Sequence, residues 1–364
     1  MKVSLYTSLL FLRANNAMKL LILTQKVDRE DSVLGFFHNW LVEIAKRVES
    51  VTVVALGVGK YDLPNNVRVI SLGKESGASK ISYLSRLFST VVGQRKEYDT
   101  VFVHMNPVYI VLCGGLWKLL GKKISLWYTH RQVDLKLRIA EYFADTIFTA
   151  SKESFRLPSK KVYVVGHGID LSLYACSAYV PGADPLVLLS VGRITPIKRC
   201  EVAIEALALL NQSPRKYVLR FVGAPATESD GAYFETLKKL VADKGLSDQV
   251  EFVGNLPYTE VRKEYCACDA TLNLTPTGGV DKAVLESMAS GRIVFSSNQT
   301  FADYFGDHAG MLLVKDTDAF DLARVISSVF ASGKEKVIAQ ALQKTAHERA
   351  GVESLIEKII VQLQ

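Results

Sequence analysis

LVLLSVGRITPIKR, residues 186–199, is the stretch that decides the fold. Its first residues are apolar or small, which predicts a buried strand, 186–190, that leads directly into a glycine loop. Thr195 suits the N-cap of a following helix, and Pro196 suits its first position. This places Lys198 in the first helical turn, where the helix dipole disfavours a cation by up to about 1 kcal/mol.

Two cations of this loop, Arg193 and Lys198, indicate an anionic ligand. A diphosphate would be held by the helix amides, by Lys198 as a point charge and by Arg193 as a planar fork. The alternative is a pair of solvated charges at a helix start, which is a sufficient explanation for the neighbouring Arg199.

A second loop-to-helix junction follows the predicted strand 270–274 and reads TPTGGVDKAVLESMASG, residues 275–291. Its glycine-containing loop would offer free backbone amides to an anion. Glu286 lies one turn into the helix between apolar residues, where an unpaired carboxylate is unfavourable. Two ribose hydroxyls would satisfy this carboxylate, and so would an internal partner such as an arginine or a backbone amide.

Short β-branched runs recur along the whole chain with helical segments between them, a pattern typical of parallel strands joined by crossover helices. We predict twelve strands: 19–23, 51–56, 67–71, 100–103, 124–128, 146–149, 162–165, 186–190, 218–222, 250–253, 270–274 and 293–296. The segment 166–185 contains several glycines and prolines and reads as a linker. The predicted fold is therefore α/β, with two Rossmann-like doubly wound domains facing each other across a cleft that binds ligands.

The two motifs together resemble glycosyltransferase family 4. That family carries Gly-Arg and a lysine after one strand of its carboxyl-terminal domain and, further along, a Glu-x7-Glu motif before a helix end rich in small residues. Gly192, Arg193 and Lys198 match the first part, and LESMASG, residues 285–291, matches the second. The resemblance implies a GT-B fold in which Arg193 and Lys198 neutralise the leaving diphosphate and Glu286 binds the nucleotide ribose.

The loops that follow two other strands of the second half, at Gly223 and Gly254, are similar to the nucleotide-side loops of the family. One position departs from the pattern, because the first glutamate of the motif is Gly278 here. In the family that carboxylate contacts the sugar or the reaction centre. As replacements for it we consider the amides of Gly279 and Val280, acting with one of the next two side chains, Asp281 or Lys282.

In the first half the resemblance assigns further residues. His130 matches the donor-facing histidine of the family, with His104 as the runner-up and a satisfied loop histidine as the alternative. Gly35 stands for the glycine-bearing loop near the donor phosphate. The nearby Asp28 and Asp31 either orient acceptor hydroxyls or cap the next helix.

The domain boundaries that we predict are 18–170 for an acceptor-side domain and 171–340 for a nucleotide-sugar-binding domain. Residues 341–364 are predicted to include a helix that packs back toward the first domain. Residues 1–17 form an extension with a short apolar stretch, but Arg13 interrupts it, so we do not expect an export signal.

The first half is basic: residues 1–170 hold 24 Lys and Arg against 14 Asp and Glu, a net charge of +10, whereas the rest holds 20 against 23, a net charge of −3. Such a half attracts an anionic membrane or a lipid-linked diphosphate, so we expect a cytoplasmic protein with peripheral contact at the inner face of the membrane. No basic motif interleaved with aromatic residues indicates nucleic acid.

Five scattered cysteines without a C-x-x-C pair favour a reducing, cytoplasmic environment, and Cys266 and Cys268 are read as small buried apolar residues. No segment reaches the roughly 18 apolar residues that span a bilayer. The most apolar candidate, 108–120, is interpreted as a buried or half-buried helix.

The resemblance implies a retaining glycosyltransferase that moves a hexosyl group from a nucleoside diphosphate sugar to a hydroxyl acceptor on a lipid, polysaccharide or glycan, without a cofactor or metal. No enzymic nucleophile stands out, so front-face displacement is expected. The acidic pair Asp316 and Asp318 is read as a turn and a helix cap rather than a metal site. The alternatives are a GT-B sugar-nucleotide epimerase and a catalytically degenerate partner subunit that binds nucleotide sugar.

Overall fold

The structure is a computed structural model, and it describes residues 18–130, 132–180, 184–276, 278–314 and 318–364. The predicted extension 1–17 lies outside these residues, as does Asp316. The chain forms two compact units. Unit 1 takes the chain up to Gly168 and again Val352–Gln364, and unit 2 is Ile169–Gly351.

The strands and helices are numbered here in chain order. The strands are β1 Lys19–Val27, β2 Ser50–Val58, β3 Val67–Ser71, β4 Thr100–His104, β5 Lys123–Trp127, β6 Thr146–Thr149, β7 Val162–Val164, β8 Leu186–Val191, β9 Tyr217–Val222, β10 Val250–Gly254, β11 Ala270–Asn273 and β12 Ile293–Ser296. The α-helices are α1 Phe36–Ala45, α2 Lys80–Gly93, α3 Val108–Leu119, α4 Leu135–Phe143, α5 Cys200–Leu210, α6 Glu228–Asp243, α7 Tyr258–Ala267, α8 Lys282–Ala289, α9 Ala302–Phe305, α10 Ala309–Leu312, α11 Ala319–Ala331, α12 Glu335–Arg349 and α13 Val352–Leu363. Each of the twelve predicted strands is present.

Both units are built on parallel sheets whose strand order reverses at one point. The sheet of unit 1 has the order β3-β2-β1-β4-β5-β6-β7, and that of unit 2 has the order β10-β9-β8-β11-β12. All of these pairings are parallel. This is the Rossmann-type order, in which the strands are wound outward in both directions from a central pair. The predicted α/β fold class is confirmed.

Alternate residues of the central strand β1 supply the two cores of unit 1. Leu20 and Ile22 pack in one cluster with α1 and α13, whereas Leu21 and Leu23 pack in the other with α2, α3 and α4. Successive side chains of a strand point to opposite faces, so a strand buried on both faces is apolar throughout. The segment that reads as a buried or half-buried helix is α3, with Trp117 fully buried.

Cysteine usage differs from the prediction. Cys266 forms a disulfide with Cys176 across a sequence separation of 90 residues, so it is not a free thiol. Cys268 is buried and free, as the sequence indicates. The pairing could not be read from the sequence because it joins the end of α7 to the segment before β8, two places that only the folded chain brings together.

Candidate active site

The two motifs lie at the strand-order reversal of unit 2. Neighbouring strands β8 and β11 are paired through Leu188 and Ala270. After β8 the chain continues to β9 on one side of this pair, and after β11 it continues to β12 on the other side. The loop that begins at Gly192 leaves the carboxyl end of β8, and the glycine loop before α8 follows β11. In sheets of this kind, ligands bind in the crevice beyond the carboxyl ends of the strands.

Three glycines bring the loops after β8, β9 and β10 together. Gly192, Gly223 and Gly254 all have positive φ angles, of 143°, 136° and 84°. A Cβ on Gly223 would lie 1.9 Å from the carbonyl oxygen of Gly192, so a larger residue cannot be accommodated there. The amide of Gly223 donates to the carbonyl of Gly254 at 2.8 Å.

The helix after Gly192 begins later than the sequence predicts. Residues Pro196–Lys198 form a single 3-10 turn, Arg199 is left-handed with φ 50°, and α5 starts at Cys200. Thr195 is extended and makes no side-chain cap. Thr195 and Pro196 therefore occupy the predicted N-cap and first positions, but of this 3-10 turn, and Lys198 lies ahead of the α-helix rather than in its first turn.

The first amide of α5 is satisfied from a different helix. The hydroxyl of Tyr233, on α6, accepts a hydrogen bond from the amide of Cys200 at 3.0 Å and donates to Glu201. A tyrosine hydroxyl thus does what the sequence predicts for the side chain of Thr195. This amide is therefore engaged within the protein, and the contribution of the helix amides to diphosphate binding stays a prediction.

Lys198 joins the two motifs. Its Nζ lies 2.7 Å from Asp281 Oδ2, and the same oxygen accepts from Asn273 Nδ2 at 2.9 Å. The other carboxylate oxygen, Oδ1, caps α8 by accepting from the amide of Ala283 at 3.1 Å. Burial alone would raise the pKa of Asp281, but Lys198 and these hydrogen bonds lower it to about 2. Asp281 is therefore an ionised carboxylate whose two oxygens are both engaged by protein groups.

Arg193 has a different environment from Lys198. Its side chain is exposed, and among the residues that the structure describes it forms no ion pair. The two predicted phosphate ligands thus differ in charge balance, since Lys198 is neutralised by Asp281 whereas the charge of Arg193 has no such partner.

The loop before α8 is held by its carbonyl groups. The carbonyl of Gly278 accepts from Thr300 Oγ1 at 3.3 Å, and that of Gly279 accepts from Asn298 Nδ2 at 2.9 Å. In a trans peptide unit the N–H points opposite to the C=O. The amides of Gly279 and Val280 are consequently directed away from the side chains that anchor the loop.

Glu286 is buried on α8, only 6% exposed, and its pKa is raised by that burial. The hydroxyl of Tyr265 donates to its Oε2 at 3.0 Å, and the charge of Lys282, one turn earlier, opposes the rise. Of the two partners considered for this carboxylate, the structure contains an internal one, a tyrosine rather than an arginine or an amide. A carboxylate oxygen has room for more than one hydrogen bond, so a ribose hydroxyl remains compatible with it.

Lys282 lies on the same face of α8 as Glu286, one turn earlier. Burial lowers its pKa to about 8, against the opposing effects of Glu286 and Asp281. Its Nζ lies 5.7 Å from the centre of the Tyr258 ring. Of the two side chains considered as substitutes for the missing glutamate, Asp281 is engaged by Lys198, whereas Lys282 lies beside Glu286.

Three tyrosines next to Glu286 were not identified from the sequence. Tyr174 packs edge to face against Tyr258 and Tyr265, at ring separations of 6.1 and 5.6 Å. Tyr258 and Tyr265 are seven residues apart, which places them on one face of α7. This spacing is the sequence signal by which the two could have been predicted to lie together. Tyr174 lies in the predicted linker and gives no local signal.

The site residues predicted in unit 1 have mixed environments. His130 is exposed and lies 5.6 Å, ring to ring, from Tyr128. His104, the runner-up, is fully buried, stacked on Phe37 at 4.0 Å with its Nδ1 3.2 Å from Thr24 Oγ1. These contacts of His104 are those of a core side chain.

Gly35 is the N-cap residue of α1, with ordinary helical angles of −54° and −32°. Asp31 accepts from the amides of Val33 and Leu34, and it pairs with Lys26 at 2.7 Å. Asp28 pairs with the same lysine at 3.0 Å. Neither acid caps α1, whose N-cap is Gly35 without a side-chain hydrogen bond, so that alternative is wrong and their contacts instead stabilise the turn ahead of the helix.

Known proteins resemble part of the chain in sequence. Residues 179–346 match the family model for glycosyl transferases group 1. A putative colanic acid biosynthesis glycosyltransferase of Escherichia coli is 27% identical over 229 residues, which are 60% of this chain and 53% of that protein. A human GDP-Man:Man(3)GlcNAc(2)-PP-Dol alpha-1,2-mannosyltransferase is 27% identical over 161 residues, 41% of this chain and 32% of that protein. The chain matches about half the length of the first of these relatives.

Solved structures share the fold over nearly the whole chain. The Anabaena protein HepE in complex with UDP superposes with a TM-score of 0.74 at 19% identity, covering 95% of this chain and 99% of that one. Sucrose-phosphate synthase of Thermosynechococcus elongatus gives 0.73 at 18% identity, covering 94% and 97%. The predicted GT-B fold is thus shared with solved glycosyltransferase structures. The match to the family model for glycosyl transferases group 1 lies within unit 2, the unit that carries both motif loops.

Proposed function

We propose that this chain is a retaining glycosyltransferase that transfers a hexosyl group from a nucleoside diphosphate sugar to a hydroxyl acceptor. The observation that carries the proposal is the Lys198–Asp281 ion pair, because it joins the two motif loops at the strand-order reversal of unit 2. Retention of configuration rests on the motif resemblance alone.

In this proposal the diphosphate binds at the carboxyl ends of β8 and β11. Arg193 and Lys198 neutralise the charge that develops on the leaving nucleoside diphosphate, and such fixed cations lower the barrier to bond cleavage. The amides of Gly279 and Val280 donate to the same group. These cations and amides supply the stabilisation that a metal gives in other transferases, and we propose that no metal takes part.

Glu286 would accept hydrogen bonds from the ribose hydroxyls of the donor. Its carboxylate is fixed by Tyr265, so little side-chain freedom is lost when a second hydroxyl donates to it. Lys282 is proposed as a second contact in place of the motif glutamate, which is Gly278 here. His130 remains a proposed catalytic residue on the resemblance alone, as Gly35 remains a proposed donor contact.

Donor and acceptor classes are proposed from the relatives. HepE has been crystallised with UDP and with UDP-glucose, which makes UDP sugars the first donors to test. The Escherichia coli relative is named for colanic acid biosynthesis, which supports a glycan or lipid-linked acceptor. The basic first half supports peripheral contact with an anionic membrane.

The test is a thermal-shift screen of the whole chain against UDP, GDP, ADP and CMP and their sugar conjugates. A ligand at about a hundred times its dissociation constant stabilises by roughly 2.7 kcal/mol. We expect one base to shift the melting temperature, Arg193→Ala and Glu286→Ala to abolish the shift, and Lys239→Ala, an exposed cation on α6, to leave it unchanged. No shift with any nucleotide would overturn the proposal, and a shift without transfer to any glycan acceptor would favour the degenerate partner subunit.

A further inference from the structure

Helix α2 carries an apolar stripe that faces solvent. Ile81, Leu84, Phe88 and Val92 are exposed by 79%, 39%, 38% and 43%. Spacings of three and four residues place these four side chains on one face of the helix. Leu87 and Val91, on another face, are buried in the core of unit 1 and hold the helix to the sheet. The four exposed side chains are called the α2 stripe below.

The charge around the α2 stripe is of one sign. Residues 77–96 contain Lys80, Arg86, Arg95 and Lys96 and no acidic residue, so this segment has a net charge of +4. The nearest acids along the chain, Glu75 and Glu97, lie outside it. Lys80 and Lys96 are exposed at the two ends of the stripe.

Exposed apolar side chains are unevenly distributed over the helices of unit 1; outside its helices, Val33, Tyr61, Tyr163 and Val164 are exposed as well. Helices α2, α3 and α4 pack on one face of the sheet, and they carry Ile81, Leu84, Phe88, Val92, Leu112, Leu119, Leu135 and Tyr142 among the large exposed apolar residues. On the opposite face, α1 and α13 together show one described residue of this kind, Val361. Scattered exposed apolar residues need no explanation, but a concentration of them on one face indicates an interaction surface.

We propose that the α2 stripe is the surface by which this chain lies on an anionic lipid bilayer, with its apolar side chains in the interfacial region and its cations at the headgroups. This deepens the peripheral contact named in the proposed function and rests on it for the biological context. An apolar face rimmed by basic residues has the chemistry that interfacial helices use. A second copy of this chain fits less well, because a symmetric pairing would bring two segments of charge +4 against each other.

The test is co-sedimentation of the full chain with phosphatidylcholine vesicles, with and without phosphatidylglycerol. We expect binding that requires the anionic lipid and persists in part at high salt, because apolar contacts are not screened. The double variant Ile81→Ser/Phe88→Ser should lower the partition coefficient at least about tenfold. Val361→Ser, of similar exposure on the opposite face, should leave it unchanged.

A second pair of variants tests the charge. Lys80→Gln/Lys96→Gln should lower binding about tenfold, whereas Lys239→Gln/Lys244→Gln, the same change on exposed lysines at α6 and its C-cap, should not. Equal partitioning of the stripe variant and the Val361 control would overturn the inference. So would a stripe variant that alters only the monomer–dimer equilibrium without lipid. Nucleotide-induced thermal shifts, measured on the same samples, report the proposed function separately.

Discussion

Lys198 Nζ lies 2.7 Å from Asp281 Oδ2, although 83 residues separate the two in the chain. The pair links the two loops at the strand-order reversal of unit 2, because Lys198 follows β8 and Asp281 caps α8, the helix after β11. It also fixes the lysine in one position before any ligand arrives. Such preorganisation reduces the side-chain entropy that binding a diphosphate would otherwise remove.

The pair predicts that the two motif cations differ in their effect on stability. Lys198→Ala leaves the Asp281 carboxylate without its charge partner, so we expect a loss of about 1–3 kcal/mol in the free energy of unfolding. Arg193→Ala removes an exposed cation and should change it by less than about 0.5 kcal/mol. Urea unfolding at pH 7 measures both. Equal losses in the two variants would contradict the assigned environments.

Asp281 should contribute to the fall in the free energy of unfolding at low pH. Its pKa is lowered from 3.8 to about 2, so the unfolded chain binds more protons than the folded chain between these values. The contribution is present above about pH 4 and is lost as the pH falls through 2. We expect Asp281→Asn to be less stable than the wild type at pH 7, with a difference that narrows below pH 4. Urea midpoints across that range, with the exposed Asp243→Asn as control, decide it.

Lys282 gives the same sign of pH dependence as Asp281, but in an alkaline window and as a destabilising charge. Its pKa is lowered from 10.5 to about 8, so the folded chain binds fewer protons than the unfolded chain between these values. Stability therefore rises with pH across this window, and the gain is lost as the pH falls through 8. We expect the free energy of unfolding of Lys282→Met to exceed that of the wild type at pH 7 by up to about 3 kcal/mol, and the two proteins to converge toward pH 10.5.

The same residue predicts a pH dependence of donor binding. If Lys282 contacts the donor in place of the missing glutamate, the affinity for the nucleoside diphosphate falls as the pH rises through about 8 in the wild type. The affinity of Lys282→Met should be flat over that range. Isothermal titration between pH 7 and pH 9 measures it, and parallel profiles for the two proteins would remove Lys282 from the site.

Glu286 predicts selectivity for ribose. Glu286→Gln should weaken nucleoside diphosphate binding about tenfold or more, because hydrogen bonds to a charged group are the stronger kind. The same substitution should also abolish any preference for the ribonucleoside diphosphate over its 2′-deoxy analogue. Glu235→Gln, an exposed carboxylate on α6, serves as the control. An undiminished preference in Glu286→Gln would assign the ribose to another residue.

The disulfide predicts a redox-dependent stability of unit 2. Closing a loop of 90 residues restricts the unfolded chain and contributes about 2–4 kcal/mol. Dithiothreitol should lower the urea midpoint of the wild type, and it should have no effect on the double variant Cys176→Ser/Cys266→Ser. A wild-type midpoint that is insensitive to reductant would mean that the bond is absent in solution.

The proposed membrane contact concerns the surface of a bilayer and not its interior. Among the described residues, no helix combines the length and apolar character needed to cross a bilayer. The α2 stripe is four side chains on a helix of 14 residues, which suits a position along a surface.

The sequence determined the twelve strands, the two motif loops and the position of Glu286. Strand pattern, glycine placement and the acid within an apolar helix are local features, since burial on both faces of a parallel sheet leaves a continuous apolar run. The predicted start of α5 is too early because it, too, rests on local signals alone. Thr195 and Pro196 are good local signals, but the loop places Arg199 in a left-handed conformation, and a tyrosine from α6 caps the helix instead.

Only the tertiary structure decided which charges meet. From the sequence, Asp281 is considered only as a replacement for the motif glutamate. In the structure it is the partner of Lys198, because β8 and β11 are neighbours. Two further contacts also join residues that are distant in the chain. Tyr174 packs against Tyr265 beside Glu286, and Cys176 forms a disulfide with Cys266. Pairs that lie some 80 to 90 residues apart leave no periodic trace in a single sequence, because their proximity depends on the strand order of the sheet and not on the spacing of residues along the chain.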